Sequence, residues 1–161
     1  MRTFWRDPHF FYYWLPPILW GLAIIGMSGD VASAKNTFGL IKWLLSWFAA
    51  LHPAQIGKIN FYLRKIGHAT AYGLMYFLWF RALRAHLDLG RGWAFLCSLG
   101  LCLMVSVIDE GHQSFTRFRG GSSYDVLLDL GGAMLTALIT FALWRPPPKG
   151  AALTETGPGP G

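Results

Sequence analysis

Four stretches of this chain run for most of a bilayer's thickness with almost no charge. They are "FFYYWLPPILWGLAIIGM" (Phe10–Met27), "IGHATAYGLMYFLWF" (Ile66–Phe80), "GWAFLCSLGLCLMVSVI" (Gly92–Ile108), and a run from Tyr124 to Trp144 that contains "VLLDLGGAMLTALITFALW". A helix of roughly 20 apolar residues crosses the hydrocarbon core, so each run is close to the required length, the second being the shortest. The fold this predicts is all-α, an integral membrane bundle of four transmembrane helices. Composition agrees. Charged residues make up 14% of the chain, against about 25% in typical globular proteins. That is too few to cover a soluble surface.

The segments between and around these runs are read by length and pattern. Pro16 and Pro17 fall in the first half of the first run, where a kink or a late helix start is expected. The "ASA" at Ala32–Ala34 resembles a signal cleavage site, but the run before it is long and aromatic and follows bulky residues. An uncleaved span is the favoured reading. "FGLIKWLLSWFAAL" (Phe38–Leu51) is shorter and places Lys42 and Ser46 on one helical face, with Trp43 and Trp47 around the rest. This predicts a short interfacial helix in the first loop, a re-entrant piece being the alternative. The tail "RPPPKGAALTETGPGPG" lacks core-forming residues. Residues 1–145 are therefore taken as the transmembrane domain and 146–161 as a disordered tail. Cys97 and Cys102 are five positions apart in one helix and face different directions, so they do not bridge each other.

The formal net charge is +6, but the basic residues form short clusters between apolar runs. That placement suits orientation and contact with anionic lipid, and no basic stripe or motif points to nucleic acid. Arg81, Arg84 and Arg91 crowd one tight connection, while Trp14, Trp79, Trp93 and Trp144 fall at the same set of ends. By the positive-inside rule both termini are expected in the cytoplasm.

An antiparallel four-span path brings particular ends to one membrane face: "MSGD", "RKIGHATAY", "DEGHQ" and "SSYDVLLD". Ionisable side chains at membrane depth are costly and face the bundle interior, so these ends form the candidate site. Its residues are Lys65, His68, Tyr72, Asp109, Glu110, His112, Gln113, Arg119, Asp125 and Asp129. His68 and Tyr72 share a helical face, and Asp109 reaches His112 and Gln113 if the helix continues through them. Asp125 and Asp129 resist ionising together unless a cation intervenes; Arg64, Lys65, Arg117, Arg119 or a metal ion would supply one. Gly131 and Gly132 would let another helix approach closely. "GGSS" (Gly120–Ser123) reads as a turn and helix cap whose amides could also receive a phosphate.

These residues resemble the VanZ-like family of small bacterial membrane proteins. "DEGHQSFTRFRGGSSYDVLLDLGGA" (Asp109–Ala133) is similar to its signature of an acid pair, a glutamine, an arginine and two spaced aspartates before a glycine. "KIGHATAY" (Lys65–Tyr72) resembles its second motif, although Ala71 stands where the family commonly has an acid. Ser28, Gly29 and Asp30 stand where it often has serine and glutamine. The resemblance implies a multi-span helical membrane domain of the bacterial inner membrane. The family is named after a protein associated with resistance to the glycopeptide teicoplanin.

Two function classes follow. One is a non-enzymatic membrane protein whose polar face binds an envelope lipid, a cell-wall precursor or a glycopeptide. The other is a membrane-embedded hydrolase, metal-dependent or acid/base, in which His68, Asp109, His112, Asp125 and Asp129 supply ligands or proton carriers. No HExxH pair and no serine-histidine-acid order is present. No cofactor or oligomeric state follows from the sequence.

Overall fold

The computed structural model describes residues 8–27, 34–47, 51–115 and 122–143. Among these residues it is all-helical, with no strand: α1 Pro8–Met27, α2 Ala34–Ser46, α3 Pro53–Ala85, α4 Arg91–Ser114 and α5 Ser123–Leu143. Arg117, Arg119, the "MSGD" residues after Met27 and the proposed tail lie outside the described residues.

Several boundaries differ from the sequence reading, each for a local reason. α1 starts at Pro8 and carries Pro16 and Pro17 within it, so its start is not late. α2 begins earlier than Phe38 and ends at Ser46, whose hydroxyl turns back to the Trp43 carbonyl at 2.6 Å. The largest difference is α3, which begins a dozen residues before the apolar run. Proline is favoured at the first helical turn, and the Gln55 side chain accepts the His52 amide at 2.9 Å. From there Lys58, Asn60, Arg64 and Lys65 extend the helix without adding hydrophobicity. α4 runs through "DEGHQS" instead of stopping at Ile108.

At 33 residues, α3 is roughly 50 Å long, well beyond the hydrocarbon thickness. It is also the hub, packing against all four other helices. The contacts fix the directions. Trp20 of α1 donates its indole N–H to the Ala71 carbonyl at 2.9 Å, and Trp14 meets Trp79 edge-on at 6.0 Å, so α1 runs antiparallel to α3. Cys102 lies by the Tyr72 carbonyl and Phe95 against Tyr76, so α4 is also antiparallel to α3. His68 meets Asp129 and Gly73 meets Thr136, so α5 is parallel to α3.

The α3–α5 crossing is the tightest. Ala69 and Gly73 on α3 face Gly132 and Thr136 on α5. A Cβ at Gly132 would fall on the Ala69 carbonyl, and one at Gly73 would lie 2.6 Å from the Thr136 hydroxyl. Small residues at this spacing let backbones touch, the device that membrane helices use where hydrophobic attraction between them is weak. Around the crossing, Tyr72, Met75, Tyr76, Phe80, Ala133 and Ala137 form the core.

Outward, the molecule is apolar. Leu22, Ile66, Leu127, Leu135 and Leu143 are all exposed. Such a surface is unstable in water and natural in lipid. α1, α4 and α5 are each long and apolar enough to span a bilayer. At the end away from the polar residues, Arg81 stacks over Tyr12 and Tyr13, 4.6 and 5.2 Å from the ring centroids. It also donates to the Tyr12 carbonyl at 2.7 Å.

Candidate functional site

The α3–α5 crossing determines where the polar groups go. Lys65 and His68 lie on the turn before Ala69, Asp125 and Asp129 on the two turns before Gly132, and the helices are parallel. Pressing the backbones together therefore brings both pairs into register. Lys65 pairs with Asp125, and His68 Nδ1 lies 3.1 Å from Asp129 Oδ1. The first pair sits at the rim, with the lysine about a third exposed. Asp129 is fully buried.

α4 supplies the third wall. Cys102, Ser106, Asp109 and Gln113 follow one another at spacings of four, three and four, which keeps them on one helical face. All four are buried. The Ser106 hydroxyl donates to Asp129 Oδ2 at 2.7 Å, and Gln113 Nε2 donates to Asp109 Oδ2 at 3.0 Å. Glu110, 5% exposed, accepts the Ser122 amide at 2.7 Å on one carboxylate oxygen. Its other oxygen is buried with no hydrogen-bond partner among the described residues. One ligating atom from each of His68, Asp109, Glu110 and Asp129 lies within 4.8 Å of those of the others. Tyr72, also buried, sits among the same carboxylates.

Most of the residues marked from sequence thus meet at one place: Lys65, His68, Tyr72, Asp109, Glu110, Gln113, Asp125 and Asp129. His112 does not join them, because a position next to Gln113 on the helix turns outward, and its side chain is exposed. Arg119 lies outside the described residues. Of the cations considered for Asp125, Lys65 is the one in contact with it among the described residues. Two participants were missed. Ser106 was readable from its place three residues before Asp109, on the buried face. The Ser122 amide serves Glu110, a contact that sequence spacing did not reveal.

Beside the cluster, between α1, α2 and α3, lies a cavity of about 320 Å³. Trp20, Ala23, Ile24 and Met27 make its lining mostly apolar, and Arg64, His68, Tyr72 and Asp109 also line it. Burial lowers the pKa of the Arg64 guanidinium below its ordinary value, and the Glu110 carboxylate opposes that effect. The cavity is therefore an apolar space with ionisable side chains in its lining.

Chemically the cluster holds three buried carboxylates against one imidazole. Asp129 stands between Ser106 and His68, so the serine hydroxyl faces a carboxylate and not the imidazole base. That order does not make an activated serine nucleophile of the triad kind.

The model of the family described as VanZ/LLP1 matches residues 14–145, most of the chain. Neither a curated protein nor a solved structure matches it.

Proposed function

The chain belongs to the VanZ/LLP1 family, and on that premise we propose that it is a multi-pass membrane protein that binds the headgroup of an envelope amphiphile at its polar face. The observation that carries this reading is the cavity beside α1, lined by the apolar Trp20, Ala23, Ile24 and Met27 together with Arg64 and His68. Arg64 suits an anionic headgroup. A membrane phospholipid and a lipid-linked cell-wall precursor share that chemistry, and a glycopeptide that engages such a precursor would meet the same face.

In this reading Ile66–Phe80 of α3 crosses as the fourth span, antiparallel to α1 and α4 and parallel to α5. The first turns of α3 and the Trp43 and Trp47 face of α2 lie at the interface. Arg81, Arg84 and Arg91 face the cytoplasm of a bacterial inner membrane, with both termini.

Native mass spectrometry of the full chain released from membranes in mild detergent tests the proposal. The expected result is a retained amphiphile whose occupancy falls in Arg64→Ala and Trp20→Ala. A folded chain that retains nothing, or retains the same amount in both variants, refutes it. A second reading, a membrane-embedded hydrolase acting on a lipid-linked substrate, is favoured by the four donor groups gathered around Asp129. It requires turnover that Asp109→Asn and Asp129→Asn abolish at unchanged protein level.

A further inference from the structure

Three carboxylates are held here where ionised groups are least tolerated. Asp129 is 0% exposed, Asp109 2% and Glu110 5%. Carboxylates this close cannot all carry charge unless positive charge is placed among them. Lys65 is engaged by Asp125 at the rim. His68 meets Asp129, and Arg64 lines the cavity beside the cluster.

We propose that His68, Asp109, Glu110 and Asp129 form a site for one divalent cation of the Zn²⁺ or Mn²⁺ type. The cluster itself and one independent observation support it. An imidazole and three carboxylates, drawn from three different helices, present ligating atoms within 4.8 Å of one another. In addition, one oxygen of the buried Glu110 has no hydrogen-bond partner among the described residues. A buried carboxylate oxygen without a donor is costly, and a cation satisfies it. The mixed nitrogen and oxygen set favours Zn²⁺ or Mn²⁺ over Ca²⁺ or Mg²⁺, which prefer oxygen alone.

The surroundings resemble the outer layer of a metal site. Gln113 holds Asp109 Oδ2, Ser106 holds Asp129 Oδ2, and the Ser122 amide holds Glu110 Oε2. Each donor fixes one oxygen of a carboxylate, the arrangement by which neighbouring hydrogen bonds orient ligands, and Asp129 Oδ1 in turn meets His68 Nδ1. The ion would clamp α3, α4 and α5 together at the polar end, opposite the Arg81 stack. It would also place positive charge beside the cavity, although the site stands without the headgroup reading.

The test uses the full chain in mild detergent, stripped with a chelator and titrated with Zn²⁺, Mn²⁺ and Mg²⁺. Readouts are bound metal per chain and the thermal midpoint. The expected result is saturable binding of one Zn²⁺ or Mn²⁺ per chain, with a raised midpoint and weaker response to Mg²⁺. Glu110→Gln and Asp109→Asn, which keep side-chain shape, should each weaken binding by at least about tenfold, while His112→Ala leaves it unchanged. Gln113→Ala, which removes no ligand, should weaken it in the same direction. Folded wild-type chain that binds no ion overturns the proposal, as does equal affinity in Glu110→Gln and wild type. Ion binding without any retained amphiphile refutes the headgroup reading alone.

Discussion

Replacing Gly132 by alanine tests the geometry on which the whole polar cluster depends. The new methyl would overlap the Ala69 carbonyl, a backbone atom that cannot rotate away, so α5 must back off from α3. Overpacking of this kind typically costs about 1 to 3 kcal/mol, and a rigid backbone neighbour puts it at the upper end. Alanine's better helix propensity returns about 1 kcal/mol, leaving a net loss of about 2 kcal/mol. For a chain of this size that corresponds to a thermal midpoint lower by roughly 4 to 8 °C. Gly131→Ala is the internal control. It gains the same propensity, and nothing lies within 4 Å of its Cβ. Its midpoint should hold or rise. Because the same displacement stretches the 3.1 Å contact between His68 and Asp129, Gly132→Ala should also lose ligand retention while Gly131→Ala keeps it. The assay is a thermal melt of both variants in one detergent, followed by native mass spectrometry. Equal midpoints for the two alanines would refute the close crossing, and with it the account of how the site is assembled.

Other outcomes follow from the same contacts. Gly73→Ala should destabilise less than Gly132→Ala, because its Cβ meets the movable Thr136 hydroxyl, and Thr136→Ala should rescue most of the loss in a melt of the double variant. Lys65→Met and Asp125→Asn should be coupled by about 1 kcal/mol in a double-mutant cycle, between the values for exposed and buried pairs; additive losses would show that the pair is incidental. Arg81→Met should cost about 1 to 2 kcal/mol through the lost tyrosine faces and carbonyl bond, read as a lower midpoint, with Arg81→Lys recovering part of it. In a cysteine-free background, Lys58→Cys and Tyr124→Cys should be labelled from one side of sealed vesicles and Asp88→Cys from the other. Labelling of Lys58→Cys and Tyr124→Cys from opposite sides would break the shared polar face.

Much of the fold was legible from the chain because lipid imposes a simple rule: a segment that crosses must be long, apolar and helical. α1, α4 and α5 follow that rule and were located to within a few residues at most ends. α3 was only half read. Its apolar half stood out, but its polar first half, from Pro53 to Lys65, carries no hydropathy signal and is helical through a proline start and packing on its neighbours. α4 was read short for the same reason, since "DEGHQS" looks like a solvated end until Asp109, Glu110 and Gln113 are seen to be buried.

By itself the sequence determined that this is a helical membrane protein, and that ionisable residues concentrate at one set of helix ends. Those are properties of single segments, set by length, hydrophobicity and the direction changes between them. The partners were decided only by the tertiary structure. Whether Asp125 takes Lys65, whether His112 points inward, and whether Ser106 belongs to the site depend on helix rotation and crossing. The first follows from the contact of Gly132 with the Ala69 backbone, and the other two from how α4 packs on α3 and α5. Separation in sequence gives no measure of it: His68 and Asp129 are 61 residues apart and 3.1 Å from one another.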